Sequence, residues 1–286
     1  MSSYQTLISA GTLARNLENP LFRVVDCRFS LMDTDKGRND YATGHVPGAS
    51  YANLDTDLSS PISAQSGRHP LPDVESFIET LRRWGISNET QVVVYDDAGG
   101  GVAARLWWML RWLGHKDVAV LDGGFAAWNR AGYAIRSKES APALGTFDGR
   151  PVLDTVWTTA DIQSWHAAGE SFVLVDARDG TRFRGEHEPI DPVAGHVPGA
   201  VNLPLTDNLN PDGTWRNAAE IKTRWAKVSG ISTSRDWGVM CGSGVTACHL
   251  ALSAFIAGLP EPSIYIGSWS EWVRDPGRPI VGGTSE

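Results

Sequence analysis

The feature that most constrains this chain is that it repeats itself. Val24-Val25-Asp26-Cys27-Arg28 precedes Gly44-His45-Val46-Pro47-Gly48-Ala49, and Leu174-Val175-Asp176-Ala177-Arg178 precedes Gly195-His196-Val197-Pro198-Gly199-Ala200. A third pair keeps the order. The β-rich run Gln91 to Asp96 leads into Gly99-Gly100-Gly101-Val102-Ala103-Ala104, and Trp237 to Met240 leads into Cys241-Gly242-Ser243-Gly244-Val245-Thr246-Ala247. The offset stays near about 150 residues, far longer than a solenoid unit, so a whole domain is duplicated. A length of 286 residues suits two domains of ordinary size. They are expected at 1–140 and 154–286, joined by 141–153. The stretch Ser137 to Pro151, rich in Ser, Ala, Gly and Pro, has neither helical nor strand period and reads as a linker wrapping across the surface, with the boundary near residue 145.

Within each copy, short apolar runs alternate with helical patterns. Phe22 to Asp26, Val92 to Tyr95 and Val118 to Leu121 read as buried strands, and Phe77 to Trp84 and Val102 to Leu113 as helices. This alternation predicts an α/β fold in which each domain is a parallel sheet flanked by helices on both faces. Ligands in such sheets sit beyond the carboxyl ends of strands, where the loop starting at Cys241 falls. The twelve tryptophans are expected to be core.

Composition removes several classes of function. Net charge is −8 and the longest basic run is Arg82-Arg83, which argues against a nucleic-acid partner. No apolar stretch is long enough for a membrane span, and Met1 to Ala10 lacks the basic and apolar regions of a signal peptide. Three cysteines, Cys27, Cys241 and Cys248, are too few and odd in number for a disulfide framework and suit a reducing compartment, so the cytoplasm is expected. No Cys/His spacing forms a zinc site.

Cys241 ends a strand, and a helix from about Ala247 to Ala257 follows its loop. Two glycines let the backbone curl so that its N–H groups point inward as an anion-binding nest, and the helix adds its positive end. Such a cradle stabilises a thiolate, and equally a persulfide, one sulfur longer. Ser243 and Thr246 add hydroxyl donors. A cysteine at a strand end is more often a small buried hydrophobe, the reading given to Cys27 and Cys248. The contrast between copies favours chemistry at Cys241, whose counterpart in the first repeat is read as Ala98.

The segment Cys241 to Ala247 resembles the active loop of 3-mercaptopyruvate sulfurtransferases. Nearly the whole chain is similar to tandem-domain rhodanese enzymes, through Gly44 to Ala49, Arg105-Leu106-Trp107-Trp108-Met109, Leu121-Asp122-Gly123-Gly124 with Trp128, and Gly195 to Ala200. The resemblance implies a silent first domain, a catalytic second one, and a ping-pong reaction without cofactor or metal. The Cys241 thiolate takes a sulfane sulfur from 3-mercaptopyruvate or thiosulfate, and a thiol or cyanide removes it. Thioredoxin, a small thiol and cyanide are the open choices of acceptor. A monomer is expected, since two joined copies already form a pseudo-dimer.

Thiosulfate rhodaneses typically carry basic side chains just after the cysteine, where this chain has Gly242 and Ser243. The neutral loop therefore favours a carboxylate monoanion over a dianion. Arg182 matches a substrate-binding arginine of the family, with the loop residues Gly242, Gly244, Val245 and Thr246 completing the binding set. The second arginine that animal mercaptopyruvate enzymes carry about nine residues later is missing from Glu188-Pro189-Ile190-Asp191. The resemblance also implies a Ser-His-Asp arrangement of Ser243, His45 and one of Asp33, Asp35 or Asp40. His45 has a copy in His196, however, and its repetition favours a structural turn residue. Two rivals remain. A phosphatase would need an arginine six residues after the cysteine, where Ala247 stands; a non-catalytic rhodanese-like module would commonly lack the cysteine.

Overall fold

The computed structural model describes residues 3–138, 141–231 and 237–282. Glu139 and Ser140, inside the expected linker, lie outside the described residues. The chain forms two compact units: Met1–Ser60, Leu71–Val152 and Leu209–Trp215 make the first, and Pro61–Pro70, Leu153–Asn208 and Arg216–Glu286 the second. Unit membership therefore departs from chain order at 61–70 and at 209–215.

The first unit carries strands β1 (Leu7–Ile8), β2 (Phe22–Asp26), β3 (Ser50–Tyr51), β4 (Gln91–Tyr95) and β5 (Val118–Leu121). The second carries β6 (Val156–Trp157), β7 (Val173–Asp176), β8 (Val201–Asn202), β9 (Trp237–Met240) and β10 (Ser263–Tyr265). The sheets have one topology, β1-β5-β4-β2-β3 and β6-β10-β9-β7-β8, with every pairing parallel. The helices of the first unit are α1 (Ala10–Asn16), α2 (Lys36–Thr43), α3 (Val74–Arg83), α4 (Ala103–Trp112) and α5 (Gly124–Arg130). Those of the second are α6 (Thr159–Ala168), α7 (Gly180–Phe183), α8 (Ala218–Trp225), α9 (Ala247–Ile256) and α10 (Ser268–Trp272). Every residue of central strands β4 and β9 is buried, as a sheet covered on both faces requires. The strands read from the sequence appear within a residue of their expected ends. Helix α3 begins three residues earlier than expected because Asp73 caps it, its side chain accepting from Ser76 N.

The duplicated motifs are explained by one buried device. In the first unit Arg28 donates from Nη2 to Asp26 Oδ2 at 2.6 Å and to the Gly44 carbonyl at 2.7 Å. In the second, Arg178 Nη2 donates to Asp176 Oδ2 at 2.8 Å and to the Gly195 carbonyl at 2.7 Å. The arginine thus ties the strand of the first motif to the turn of the second. Removing one partner would leave an uncompensated buried charge, costing about 3–5 kcal/mol. All tryptophans except Trp165 are buried, as expected of core residues. The segment 141–152 packs on the first unit, where Gly145 N donates to Arg82 O at 2.8 Å and Val152 N to Trp112 O at 2.9 Å.

Candidate active site

Parallel register identifies what stands opposite the cysteine. Asp26 pairs with Tyr95 and Asp176 with Met240, so the residues that follow, Asp96 and Cys241, are counterparts. This corrects the expectation of Ala98, because the first-unit loop has one more residue between strand and helix. The Asp96 carboxylate is fully enclosed by its own loop. Oδ1 accepts from Ala98 N at 2.9 Å and Gly100 N at 2.8 Å, and Oδ2 from Val102 N and Ala103 N at 2.8 Å. Burial raises its pKa, although these N–H groups oppose the shift.

In the second unit the same kind of loop holds a shorter side chain. Cys241 is 1% exposed, and its Sγ accepts from Ser243 N at 3.4 Å. Among the described residues, the amides of Val245 and Thr246 make no hydrogen bond to the protein. Thr246 stands at the N-cap of α9 without a side-chain cap bond. Helix α10 fixes the loop from the other side: Trp269 N donates to Cys241 O at 3.0 Å and Ser270 N to Gly242 O at 2.8 Å. Ser268 Oγ accepts from Cys241 N at 3.1 Å and donates to Tyr265 O at 2.7 Å. Ser268 is also the one non-glycine residue among those described with positive φ, at 51°, and this strained conformation is held beside the candidate nucleophile. Gly244 has φ of 76°, and a Cβ there would run into the Ile266 carbonyl.

The histidine beside Ser243 is His69. Its Nδ1 lies 2.8 Å from Ser243 Oγ, and both groups are buried. With the ring proton on Nε2, the hydroxyl donates to Nδ1. His69 arrives on the segment 61–70, which is pinned to the second unit by Gly67 N donating to Glu271 Oε2 at 3.1 Å and Arg68 N to Ser270 Oγ at 3.0 Å. The expected pairing of Ser243 with His45 is thereby corrected. His45 stacks on Tyr41 at 3.9 Å, and its Nδ1 lies 2.7 Å from Tyr41 O and its Nε2 3.1 Å from Lys138 O. His196 repeats this geometry, stacking on Phe183 at 3.8 Å with Nδ1 2.7 Å from Phe183 O. Turn residues with both a ring face and a ring nitrogen engaged are parts of the fold. Lys36 forms ion pairs with both Asp40 and Asp97, so the acidic candidate Asp40 is also otherwise engaged.

Arg182 reaches the loop as expected, and a second arginine comes with it. A Cβ on Gly242 would lie 2.9 Å from Arg68 Nη2 and 3.6 Å from Arg182 Nη2. The loop is neutral in sequence, but the Arg68 guanidinium occupies the side-chain space of its second residue and that of Arg182 borders it. Two carboxylates hold them. Arg182 Nη2 lies 2.8 Å from Glu188 Oε1 and 3.1 Å from Asp191 Oδ2, and Arg68 Nη1 is ion-paired with Asp191 Oδ1. Burial opposes ionisation of Glu188, but the hydrogen bonds from Arg182 and from the amides of Asp191 and Ile190 leave its pKa lowered. At Asp191 burial prevails, with the charge of Glu188 adding to it, and the pKa is raised despite Arg68 and Arg182. Among the described residues no His, Cys, Asp and Glu cluster could hold a metal ion, and no helix is long and apolar enough to cross a membrane. All three cysteines are free and buried.

The profile of the rhodanese-like domain matches residues 9–131 and 158–275. The chain is 45% identical over 285 residues to a probable 3-mercaptopyruvate sulfurtransferase of Pseudomonas aeruginosa, covering 99% of this chain and 100% of that protein. It is 35% identical to the thiosulfate sulfurtransferase of Mus musculus, covering 95% and 93% of the two chains. A solved 3-mercaptopyruvate sulfurtransferase from Leishmania major superposes with a TM-score of 0.83 at 35% identity, covering 94% of this chain and 74% of that one.

Proposed function

The chain belongs to the rhodanese family as a tandem-domain sulfurtransferase, and from that premise we propose that it moves sulfur from 3-mercaptopyruvate to a thiol or cyanide through a persulfide on Cys241. The observation that carries this reading is the comparison of the two loops. One cradle is filled by the Asp96 carboxylate, with four N–H donors. The other holds a thiol with one donor at 3.4 Å and amides at Val245 and Thr246 still to be engaged. A second sulfur on Cys241 supplies the acceptor those amides need.

The reaction balances within the site. The Cys241 thiolate attacks the donor sulfur, the S–S bond forms, and the electron pair of the breaking C–S bond passes to the departing enolate of pyruvate. The donor's thiol proton ends on the methyl carbon of pyruvate, and the paired hydroxyl and imidazole of Ser243 and His69 are suited to carry it. A thiol then attacks the outer sulfur and regenerates the thiolate. Arg182 binds the donor carboxylate. The carboxylates of Glu188 and Asp191 offset the arginine charge, which favours a monoanionic donor over the thiosulfate dianion. Three free buried cysteines suit the cytoplasm, and we place the protein there as a monomer whose acceptor is thioredoxin, a small thiol or cyanide.

The test is steady-state transfer from 3-mercaptopyruvate and from thiosulfate in parallel, on the native protein and on Cys241→Ser. The reading requires a higher kcat/KM for mercaptopyruvate that is lost in Cys241→Ser. A preference for thiosulfate overturns the donor, and unchanged activity in the variant overturns the nucleophile.

A further inference from the structure

Resting on that reading, we propose that Glu271 is a positioning residue of the active site, holding the segment that carries His69 in register with Ser243. Helix α10 fixes the nucleophile loop, through Trp269 N on Cys241 O and Ser270 N on Gly242 O. The same short helix holds the segment 61–70. Glu271 Oε2 accepts from Gly67 N at 3.1 Å, and Ser270 Oγ accepts from Arg68 N at 3.0 Å. His69 is the next residue, with Nδ1 2.8 Å from Ser243 Oγ. One element therefore sets both sides of the contact between Ser243 and His69, and the grip on Gly67 controls its distance. The approach is close: a Cβ on the buried Gly67 would lie 2.5 Å from the Gly267 carbonyl oxygen.

The carboxylate is itself held from the core. Thr159 Oγ1 donates to Glu271 Oε1 at 2.5 Å and accepts from the OH of the buried Tyr265 at 2.6 Å. Among the described residues no cation pairs with Glu271, so one hydroxyl and the Gly67 amide carry its charge, as charge-assisted bonds stronger than neutral ones. The fold of the helix does not require this carboxylate. Val94 pairs with Val120 and Val239 with Ile264, so register makes Ala127 of α5 the counterpart of Glu271, and α5 forms with alanine there. In the first unit the segment 209–215 is held from another position, by Trp215 N donating to Asp122 Oδ1 at 2.8 Å. Glu271 thus acts through Gly67 on His69, two residues away.

The experiment measures pyruvate release from 3-mercaptopyruvate in a single turnover by rapid quench, with thermal unfolding beside each variant. The variants are Glu271→Ala, Glu271→Gln, His69→Ala, the double variant Glu271→Ala/His69→Ala, and Asp122→Ala as the matched loss in the first unit. The proposal expects Glu271→Ala to slow release by about 10- to 100-fold, the cost of displacing a catalytic group by about 1 Å. Glu271→Gln, whose amide oxygen still accepts from Gly67 N, should stay within about fivefold of native. In the His69→Ala background Glu271→Ala should add little, because the two residues act as one unit. Asp122→Ala should lower the Tm and leave release within about twofold of native. A loss in the His69→Ala background as large as in the native one would overturn the proposal, because Glu271 would then act through some other group. Equal slowing by Asp122→Ala would overturn it too, since any loosened segment would then slow the reaction. If Glu271→Ala does not fold, Thr159→Val takes its place: it frees the carboxylate to swing and should slow release by about 3- to 10-fold, and a native rate there overturns the proposal. Native-rate release in His69→Ala would refute the pairing of Ser243 with His69 and the proposal with it. A native rate in Glu271→Ala beside a slow His69→Ala refutes the proposal alone.

Discussion

Asp96 and Cys241 hold the same register position in the two sheets, each directly after the strand residue paired with the aspartate of a buried ion pair. One side chain accepts from four amides of its loop and the other leaves the amides of Val245 and Thr246 unengaged. The first loop is closed by its own carboxylate, which makes it structural. Asp96→Ala would leave four amide N–H groups without their acceptor, and the predicted loss is about 3–5 kcal/mol. Urea unfolding of the variant measures it; a loss below about 1 kcal/mol would show that water replaces the carboxylate.

Ser243 and His69 are predicted to act as a unit. Ser243→Ala and His69→Ala should each slow pyruvate release in a single turnover by about 100-fold or more. The double variant should be little worse than either single one, since groups that act together are not additive. His45 serves as the contrast: His45→Ala should lower stability by about 2 kcal/mol through lost stacking and hydrogen bonds, with kcat/KM within about twofold of native. Rapid-quench measurement of pyruvate beside thermal unfolding separates the two cases.

The two loop glycines have different reasons, and substitution should show it. At Gly242 a methyl group meets the tip of the Arg68 side chain, which can move aside. Gly242→Ala should therefore fold normally and raise the KM for mercaptopyruvate by about tenfold. At Gly244 the φ of 76° and the Ile266 carbonyl leave no such relief. Gly244→Ala should destabilise the protein by about 1–3 kcal/mol and distort the loop, lowering kcat as well. Paired kinetics and unfolding curves check both.

The two carboxylates on the arginine pair should titrate apart. Asp191 has a raised pKa and Glu188 a lowered one, so on acidification Asp191 is protonated first while Glu188 still neutralises Arg182. Arg68 then loses its counter-charge, and the KM for an anionic donor should fall as pH falls through the raised value of Asp191. Asp191→Asn should remove this dependence and show the low KM throughout. For stability the sign is fixed by linkage: with the folded pKa above the unfolded one, the contribution of Asp191 is fully present below the ordinary aspartate range. It is lost as pH rises through the folded value. Unfolding free energy against pH, native beside Asp191→Asn, reads this difference.

The duplicated residues were legible in the sequence because their roles are local. Arg28 and Arg178 bind an aspartate two residues away and a turn carbonyl that the second motif encodes. Strand β9, the glycine loop and helix α9 were readable from apolar runs and glycine spacing, and so was the solitary Cys241. The segment 61–70 was not legible. It has neither helical nor strand period, so nothing in it announced membership of the second unit, and with it Arg68 and His69 went unseen. One signal was available. Among the seven histidines, His45 and His196 recur with the repeat, whereas His69 has no copy: Ala219 stands about 150 residues on. In a duplicated chain a recurring polar residue is most simply explained by the fold, which set His45 and His196 aside and left His69 among the unrepeated histidines to be considered. The neutral-loop argument fell short for a related reason, since the charge near Gly242 is supplied by residues distant in sequence.

The most direct test of the account is the mass of the intact protein after brief exposure to 3-mercaptopyruvate, followed by peptide mapping. The account predicts a gain of one sulfur atom, located on the peptide containing Cys241, removed by a thiol or cyanide and absent in Cys241→Ser. A sulfur found on Cys27 or Cys248, or turnover with no sulfur-bearing form of Cys241 at any time, would contradict it.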